Sequence, residues 1–115
     1  MLLKVDLGST QPLHEQLAGQ LRAAIASGDP AAGEKLPPAR DLAESLGVNV
    51  HTLLRAFKTL RDEGLLEVRR GRGTIVTDAA SQQARFVDLA RELVTESRRS
   101  GLTDDEIRAL LEAQL

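Results

Sequence analysis

Apolar residues recur every three or four positions in three stretches of the first 62 residues, the spacing of helices that bury one face. The first stretch, residues 13–25, follows a polar segment that ends in Pro12, and a serine or threonine there is expected to cap the helix. The second begins at Ala39 and ends at Gly47, a favourable C-cap residue. The third begins after Asn49, and its predicted buried residues are Leu53, Ala56, Phe57 and Leu60.

The second and third helices are joined by about three residues that include a glycine, which is the outline of a helix-turn-helix. Two segments of strand composition follow, residues 65–68 and 74–76, on either side of the basic, glycine-rich sequence 69–73. They predict a β-hairpin with a basic tip, and a hairpin after a helix-turn-helix makes a winged helix. Residues 2–7 are predicted to be extended, and residues 29–38, with three of the four prolines, to form an ordered loop.

The end of the chain has a different pattern. An apolar stripe from about residue 81 to 99 predicts a fourth helix, and Thr103 with Glu106 has the spacing of a capping box that opens a fifth. Two helices of this size cannot bury their apolar faces alone. The predicted fold is mainly α with a small β-hairpin, namely a winged helix-turn-helix domain over residues 1–77 and a helical segment over 78–115.

Composition narrows the class of protein. With 115 residues and 2% aromatic residues, a single modest core of aliphatic side chains is expected. The absence of cysteine excludes disulfides, thiolate metal sites and cysteine nucleophiles. No stretch approaches the roughly 18 consecutive apolar residues of a membrane span, and the N-terminus lacks the layout of a signal peptide, so a soluble cytoplasmic protein without membrane contact is expected.

The formal net charge of −2 hides an uneven distribution. Residues 35–76 carry eight basic and five acidic residues, whereas residues 77–115 carry five basic and eight acidic residues. The helix-turn-helix and the hairpin therefore form a basic middle between acidic ends, which is the asymmetry expected of a protein that binds a polyanion.

Several segments in a fixed order carry a family resemblance. They are PLHEQL at 12–17, GEKLPPARDLA at 33–43, LGVN at 46–49, EGL at 63–65 and RGRGT at 70–74. Together they resemble the GntR family of bacterial winged-helix transcription regulators. The short two-helix end is similar to the YtrA-like subfamily, whose C-terminal part dimerises and which lacks the large effector domain of its relatives. The residues after the wing are too few for the pyridoxal phosphate domain of some relatives, and no cofactor is expected.

The resemblance implies DNA contacts at the starts of the second and third helices. Arg40 stands where the family motif Leu-Pro-Ser-x-Arg has a DNA-contacting arginine, although it could instead pair with Asp41 or Glu44 as a surface charge. Asn49 either caps the third helix only or also contacts a phosphate.

The first turn of the third helix is the part nearest the base edges. Many family members have arginine where Val50 stands, and a valine offers only apolar contact, so reading is expected to shift to His51 and Thr52. His51 has alternatives as a plain surface residue or a metal ligand, but it lacks neighbouring ligands and no metal site is predicted. Leu54 either packs against the preceding helix or faces the groove. The predicted phosphate contacts on the polar side are Arg55 and Lys58.

The hairpin tip is the second predicted DNA contact. Its three arginines have no acid between them and would repel one another in a solvated turn, whereas a polyanion would neutralise them. Two glycines allow the turn to approach a backbone closely. The predicted contact residues of the wing are Arg69, Arg70, Gly71, Arg72, Gly73 and Thr74.

The apolar stripe of the last two helices either packs within its own domain or is covered by a second copy, and a homodimer is the favoured interpretation. The predicted function is a sequence-specific transcriptional regulator, a repressor that binds a pseudo-palindromic operator in double-stranded DNA as a homodimer. A small-molecule effector in a crevice between subunits stays open. The predicted dimerisation residues are Phe86, Leu89, Leu93, Val94, Ile107, Leu110 and Leu111.

The sequence also bears on two other classes of function. An enzyme is not expected, because the sequence has no Ser–His–Asp arrangement, phosphate-cradling loop or cluster of metal ligands. A winged-helix module that binds proteins without sequence-specific DNA binding is the alternative. The basic charge of the third helix and the hairpin argues for DNA.

Overall fold

The computed structural model describes residues 3–115. This part of the chain divides into an N-terminal unit, which extends to Arg85, and a C-terminal unit, Phe86–Leu115. The predicted class, mainly α with a small hairpin and two C-terminal helices, is confirmed. The elements in chain order are α1 Leu13–Ala26, α2 Ala39–Leu46, α3 Val50–Asp62, β1 Leu66–Arg69, β2 Gly73–Val76, α4 Ala80–Arg99 and α5 Asp104–Glu112.

Helix α1 has the predicted buried stripe, which is fully buried from Leu17 to Ile25. The prediction that a serine or threonine caps this helix is wrong, because Pro12 occupies the N-cap position without a side-chain hydrogen bond. Ser9 Oγ instead accepts a hydrogen bond from the Gln11 backbone N–H at 3.0 Å. Proline suits a helix start because its ring fixes φ and it has no N–H to satisfy.

The segment before α1 is held to the helix by the side-chain amide of Gln16. The amide nitrogen donates to the backbone carbonyl of Asp6 at 3.0 Å and to that of Gln11 at 2.8 Å, and its oxygen accepts from the Asp6 N–H at 2.9 Å. Leu2, part of the predicted extended segment, lies outside the described residues, and residues 3–6 form no strand.

The predicted loop before α2 is ordered by pairing with β2. The N–H groups of Gly33 and Leu36 donate to the carbonyls of Val76 and Thr74, at 2.8 and 2.9 Å. Lys35 lies opposite Ile75 in an antiparallel bridge. The loop therefore pairs with the outer edge of the two-stranded hairpin through an isolated bridge, a pairing that the local sequence pattern did not predict.

Helices α2 and α3 form the predicted helix-turn-helix. Gly47, which follows α2, has φ +70°, the left-handed conformation that glycine adopts without strain. Asn49 Oδ1 caps α3 by accepting a hydrogen bond from the His51 backbone N–H at 2.8 Å. The predicted buried face of α3 is confirmed, and this helix packs against α1, α2 and β1.

The predicted hairpin is confirmed. β1 pairs with β2 in antiparallel register, with Arg69 opposite Gly73 at the end of the ladder. The Arg72 N–H donates to the Arg69 carbonyl at 2.9 Å and closes the turn. Gly71 has φ +79°, the value that the third residue of a type II turn requires.

A buried ion pair joins α1 to the end of α3. Arg22 Nε and Nη2 each donate to one carboxylate oxygen of Glu63, at 2.8 Å in both cases. The two side chains are 4% and 16% exposed. Because bidentate charge-assisted bonds fix both distance and angle, this pair holds the C-terminal end of α3 at one position on α1.

The N-terminal unit ends later than residue 77, where the sequence pattern put the boundary. Ala80 and Ala84, in the first turns of α4, are fully buried in its core, so this unit includes the start of that helix. The assignment of residues 78–115 to dimerisation stays a prediction.

The C-terminal unit contains the rest of α4 and all of α5. The predicted capping box is confirmed: Thr103 Oγ1 accepts from the Glu106 N–H at 3.2 Å, and Glu106 Oε1 accepts from the Thr103 N–H at 3.0 Å. None of the helices within residues 3–115 has both the length and the apolarity needed to cross a membrane.

Candidate nucleic-acid interface

The outer face of α3 carries cationic side chains. Arg55 and Lys58 are exposed, and Arg55 makes no ion pair with any residue in the described part of the chain. Lys58 Nζ donates to Asp62 Oδ2 at 2.8 Å, four residues further along the helix. An exposed pair of this kind contributes only about 0.3–0.5 kcal/mol, so Lys58 can exchange Asp62 for a phosphate at little cost.

The start of α3 places the predicted reading residues in different environments. The capping role of Asn49 is confirmed, while its phosphate contact stays a prediction. His51 is exposed and Thr52 is half-buried. Val50 is partly buried and packs against the hydrophobic core. Base contacts by Val50, His51 and Thr52 stay predictions.

The structure bears on two questions that the sequence left open on α3, namely which way Leu54 faces and whether His51 has metal-binding neighbours. Leu54 is 43% exposed, which favours the alternative in which it faces outward. For the metal-ligand alternative of His51, residues 3–115 contain no group of three or more His, Cys, Asp or Glu side chains placed to hold an ion.

Arg40 is the second residue of α2 and is exposed. It forms no ion pair with Asp41 or Glu44, nor with any other residue that the structure describes, so the surface-pair alternative is not observed. An unpaired guanidinium at the start of this helix keeps its five donors for an external acceptor.

The hairpin tip holds two kinds of arginine. Arg70 and Arg72 are exposed and have no ion pair within residues 3–115. Arg69 differs, because its Nε donates to Glu67 Oε1 at 2.6 Å. The expectation of a tip without a nearby acid therefore holds for two of its arginines. DNA contacts by all three, and by the half-buried Thr74, stay predictions.

Lys35 is a cation that the sequence interpretation missed. It is exposed, and a Cβ atom placed on Gly73 would lie 3.2 Å from Lys35 Cε, so the lysine side chain runs directly over this glycine of the hairpin. The local sequence gave no sign of this contact, because it depends on pairing between the loop before α2 and the distant strand β2.

The C-terminal unit presents an apolar face to solvent. Leu93 and Val94 on α4 are half-buried. Ile107 differs from the other predicted dimerisation residues because it is already 93% covered by its own chain, with 7% exposed. Its assignment to an interface is therefore not supported by the single chain. The exposed residues of the predicted stripe are Phe86, Leu89, Leu110 and Leu111.

The helix-turn-helix and the hairpin lie in the part of the chain that matches a known protein family. The sequence profile of the bacterial regulatory proteins of the gntR family matches residues 13–76, more than half of the chain. The chain belongs to the gntR family. This confirms the predicted resemblance. The match ends at the last residue of β2, so it covers the helix-turn-helix and the hairpin but none of the C-terminal unit.

Two curated relatives differ in how far the GntR-family chain matches them. It is 35% identical over 79 residues to the HTH-type transcriptional repressor YtrA of Bacillus subtilis (strain 168), covering 69% of this chain and 61% of YtrA. It is 34% identical over 104 residues to the HTH-type transcriptional regulator Rv1152 of Mycobacterium tuberculosis, covering 90% of this chain and 86% of the relative. The chain thus spans about three fifths of one relative and most of the other.

Solved structures agree with the fold. YtrA from Sulfolobus acidocaldarius, a GntR-family transcription factor, is 34% identical with a TM-score of 0.65, over 96% of this chain and 94% of that one. The AraR DNA-binding domain in complex with operator ORX1 is 27% identical with a TM-score of 0.59, over 67% of this chain and 99% of the domain. The predicted winged helix-turn-helix is confirmed.

Proposed function

We propose that this GntR-family chain is a sequence-specific DNA-binding transcriptional regulator of the bacterial cytoplasm that represses genes by occupying a pseudo-palindromic operator as a homodimer. The observation that carries the proposal is the set of exposed arginines on α2, α3 and the hairpin that make no ion pair within residues 3–115, namely Arg40, Arg55, Arg61, Arg70 and Arg72. The similar AraR domain, which is described in complex with an operator, supports DNA as the partner.

The charge distribution supports a duplex rather than a protein partner. Each phosphate neutralised by an arginine releases condensed counterions, so the binding constant falls steeply with salt. We assign base reading to the first turn of α3, where His51 is exposed and Thr52 is half-buried. Phosphate contacts by the hairpin hold the helix in register but carry no sequence information of their own.

The exposed apolar face of the C-terminal unit supports the homodimer. In this unit only Ser97 and Ile107 are buried, while large apolar side chains from Phe86 to Leu111 stay exposed. A second copy offers the same face and covers both at once. Two chains related by a twofold axis would then bring two α3 helices to half-sites about 34 Å apart, one turn of DNA.

The DNA contact is tested by titrating a mixed-sequence duplex at several salt concentrations. The double variant Arg70→Ala/Arg72→Ala should bind every sequence at least about tenfold more weakly and should show a shallower salt dependence. A matched control is Arg99→Ala/Arg108→Ala, which removes the same charge from the C-terminal unit and should bind nearly as wild type. Binding by the wild type that does not change with salt, or no binding at all, would contradict the proposal and favour the protein-binding module.

The homodimer is tested by light scattering after size exclusion. The wild type should have twice the mass of the chain, and Leu110→Asp/Leu111→Asp should have the mass of one chain. Leu7→Asp, which places an aspartate at an exposed leucine of the N-terminal unit, should stay dimeric. A monomeric wild type at micromolar concentration would overturn the dimer.

A further inference from the structure

We infer that Lys35 is a further DNA-backbone contact, which places an ammonium group beside the hairpin tip to bind a phosphate of the duplex that Arg70 and Arg72 contact. This inference rests on the proposed function, because it assigns another residue to the same DNA interface. It differs from the contacts predicted above in that Lys35 precedes the helix-turn-helix in sequence and reaches the hairpin only through the fold.

The backbone of Lys35 is fixed on both sides. The Leu36 N–H donates to the Thr74 carbonyl at 2.9 Å, and the Val76 N–H donates to the Glu34 carbonyl at 3.0 Å. Leu36 is buried, which anchors the segment in the core. Lys35 is thus held opposite Ile75 in an antiparallel bridge, and its side chain leaves the backbone at a defined point.

From that point the side chain extends toward the hairpin tip. Ile75 and Gly73 are two positions apart on β2 and share one face of the sheet, so Gly73 is the diagonal neighbour of Lys35. A Cβ on Gly73 would lie 3.2 Å from Lys35 Cε and 4.0 Å from Lys35 Nζ. The missing side chain of Gly73 leaves the space that the lysine stem occupies.

The ammonium group at the end of this stem has no anionic partner in the described chain. Glu67 lies opposite Ile75 on β1, and its carboxylate accepts a hydrogen bond from Arg69. Lys35, Arg70 and Arg72 therefore form a group of three exposed cations without an internal counter-charge. A phosphate backbone supplies the missing charge, and releases a counterion for each cation that it binds.

The test is a salt titration of duplex binding by Lys35→Met, which keeps an unbranched apolar stem over Gly73 and removes only the charge. We expect the slope of log binding constant against log salt to fall by about 0.9 per bound chain, with roughly five- to tenfold weaker binding near 0.1 M salt. The melting temperature should stay that of the wild type. Lys35→Arg should restore both the slope and the affinity.

Lys4→Met is the matched control, since it removes the same charge from an exposed lysine before α1. Equal losses in Lys4→Met and Lys35→Met would overturn the inference by reducing the effect to net charge. A Lys35→Met variant that binds as wild type, while Arg70→Ala/Arg72→Ala is impaired, would overturn the inference and leave the proposed function standing. Failure of the wild type to bind any duplex would overturn both.

Discussion

The two phenylalanines of the chain, its only aromatic residues, lie one in each unit and in opposite environments. Phe57 is 2% exposed in the core of the N-terminal unit, where α1, α3 and β1 pack together. Phe86 is 54% exposed at the start of the C-terminal unit. The same side chain, with the same apolar area to bury, is used inside one unit and left outside in the other.

The difference indicates what each unit needs in order to be stable. The N-terminal unit buries a continuous cluster from Leu17 to Ala84 within a single chain. The C-terminal unit has two helices with few buried residues, and apolar area in water costs about 25 cal/mol per Å². Because this unit has so little core, we expect its stability to depend on a partner that covers its apolar face.

Replacing each phenylalanine by alanine gives the largest expected contrast. Phe57→Ala should lower the free energy of unfolding by about 3–5 kcal/mol, because it leaves a cavity in a packed core. Phe86→Ala should change the unfolding of the N-terminal unit within the full chain, followed in urea by the NMR signals of its core residues, by less than about 0.5 kcal/mol. It should instead weaken self-association in sedimentation equilibrium. If the two substitutions lowered the free energy of unfolding equally, the proposed difference between the two phenylalanines would be wrong.

A second contrast comes from two ion pairs with the same bidentate pattern. Arg22 binds both oxygens of Glu63 while buried, and Arg98 binds both oxygens of Asp104 at 3.1 Å while more than half exposed. Arg22→Met should cost about 3 kcal/mol in urea unfolding, because it strands a buried carboxylate, whereas Arg98→Met should cost at most about 1 kcal/mol.

The double variant Arg22→Met/Glu63→Leu serves as the control for that prediction. Because no charge is then left unpaired, much of the lost stability should return. A double variant as unstable as Arg22→Met alone would show that packing, and not the unpaired charge, causes the loss.

The smallest expected change in stability comes from the side chains that cap the helices. The backbone N–H of Thr103, and then its hydroxyl, hold the pKa of the Glu106 carboxyl below its ordinary value of 4.5. Since the pKa in the folded chain is the lower one, the stabilisation of α5 is complete above about pH 4.5 and is lost as the pH falls through the folded value. An NMR titration should give a midpoint below 4.5, and Thr103→Ala should raise it.

The cap of α3 provides the comparison for this titration. Asn49 caps α3 with a neutral amide, so Asn49→Ala should cost about 1 kcal/mol with no added pH dependence between pH 3 and 7. Thr95→Ala, an exposed threonine within α4, should leave the Glu106 midpoint unchanged. If the titration midpoint of Glu106 is the same in Thr103→Ala as in the wild type, the capping box does not lower the pKa of this carboxyl.

Features that depend on neighbours in sequence were predictable. The buried face of α3, the Gly47 C-cap, the basic hairpin and the capping box at Thr103 each follow from spacing over a few residues, and each is present. The family motifs supplied Arg40, whose position alone does not distinguish a DNA contact from a surface charge.

Features that depend on distant pairing were not predictable. The bridge between residues 33–36 and β2 requires β2 beside it, and the contact of Lys35 with Gly73 follows from that pairing. The bond between Arg69 and Glu67 requires a strand that puts both on one face. The extension of the N-terminal unit into α4 depends on where Ala80 and Ala84 are buried.

The pairing of residues 33–36 with β2 also links the hairpin to α2. Leu36 is bonded to β2, and only Pro37 and Pro38, whose rings restrict φ, separate it from the first residue of α2. The hairpin and α2 are therefore joined by a short segment of restricted conformation and not by a flexible loop. We therefore expect the DNA contacts proposed for the hairpin and for Arg40 to be coupled, because a displacement of the hairpin would also move the start of α2.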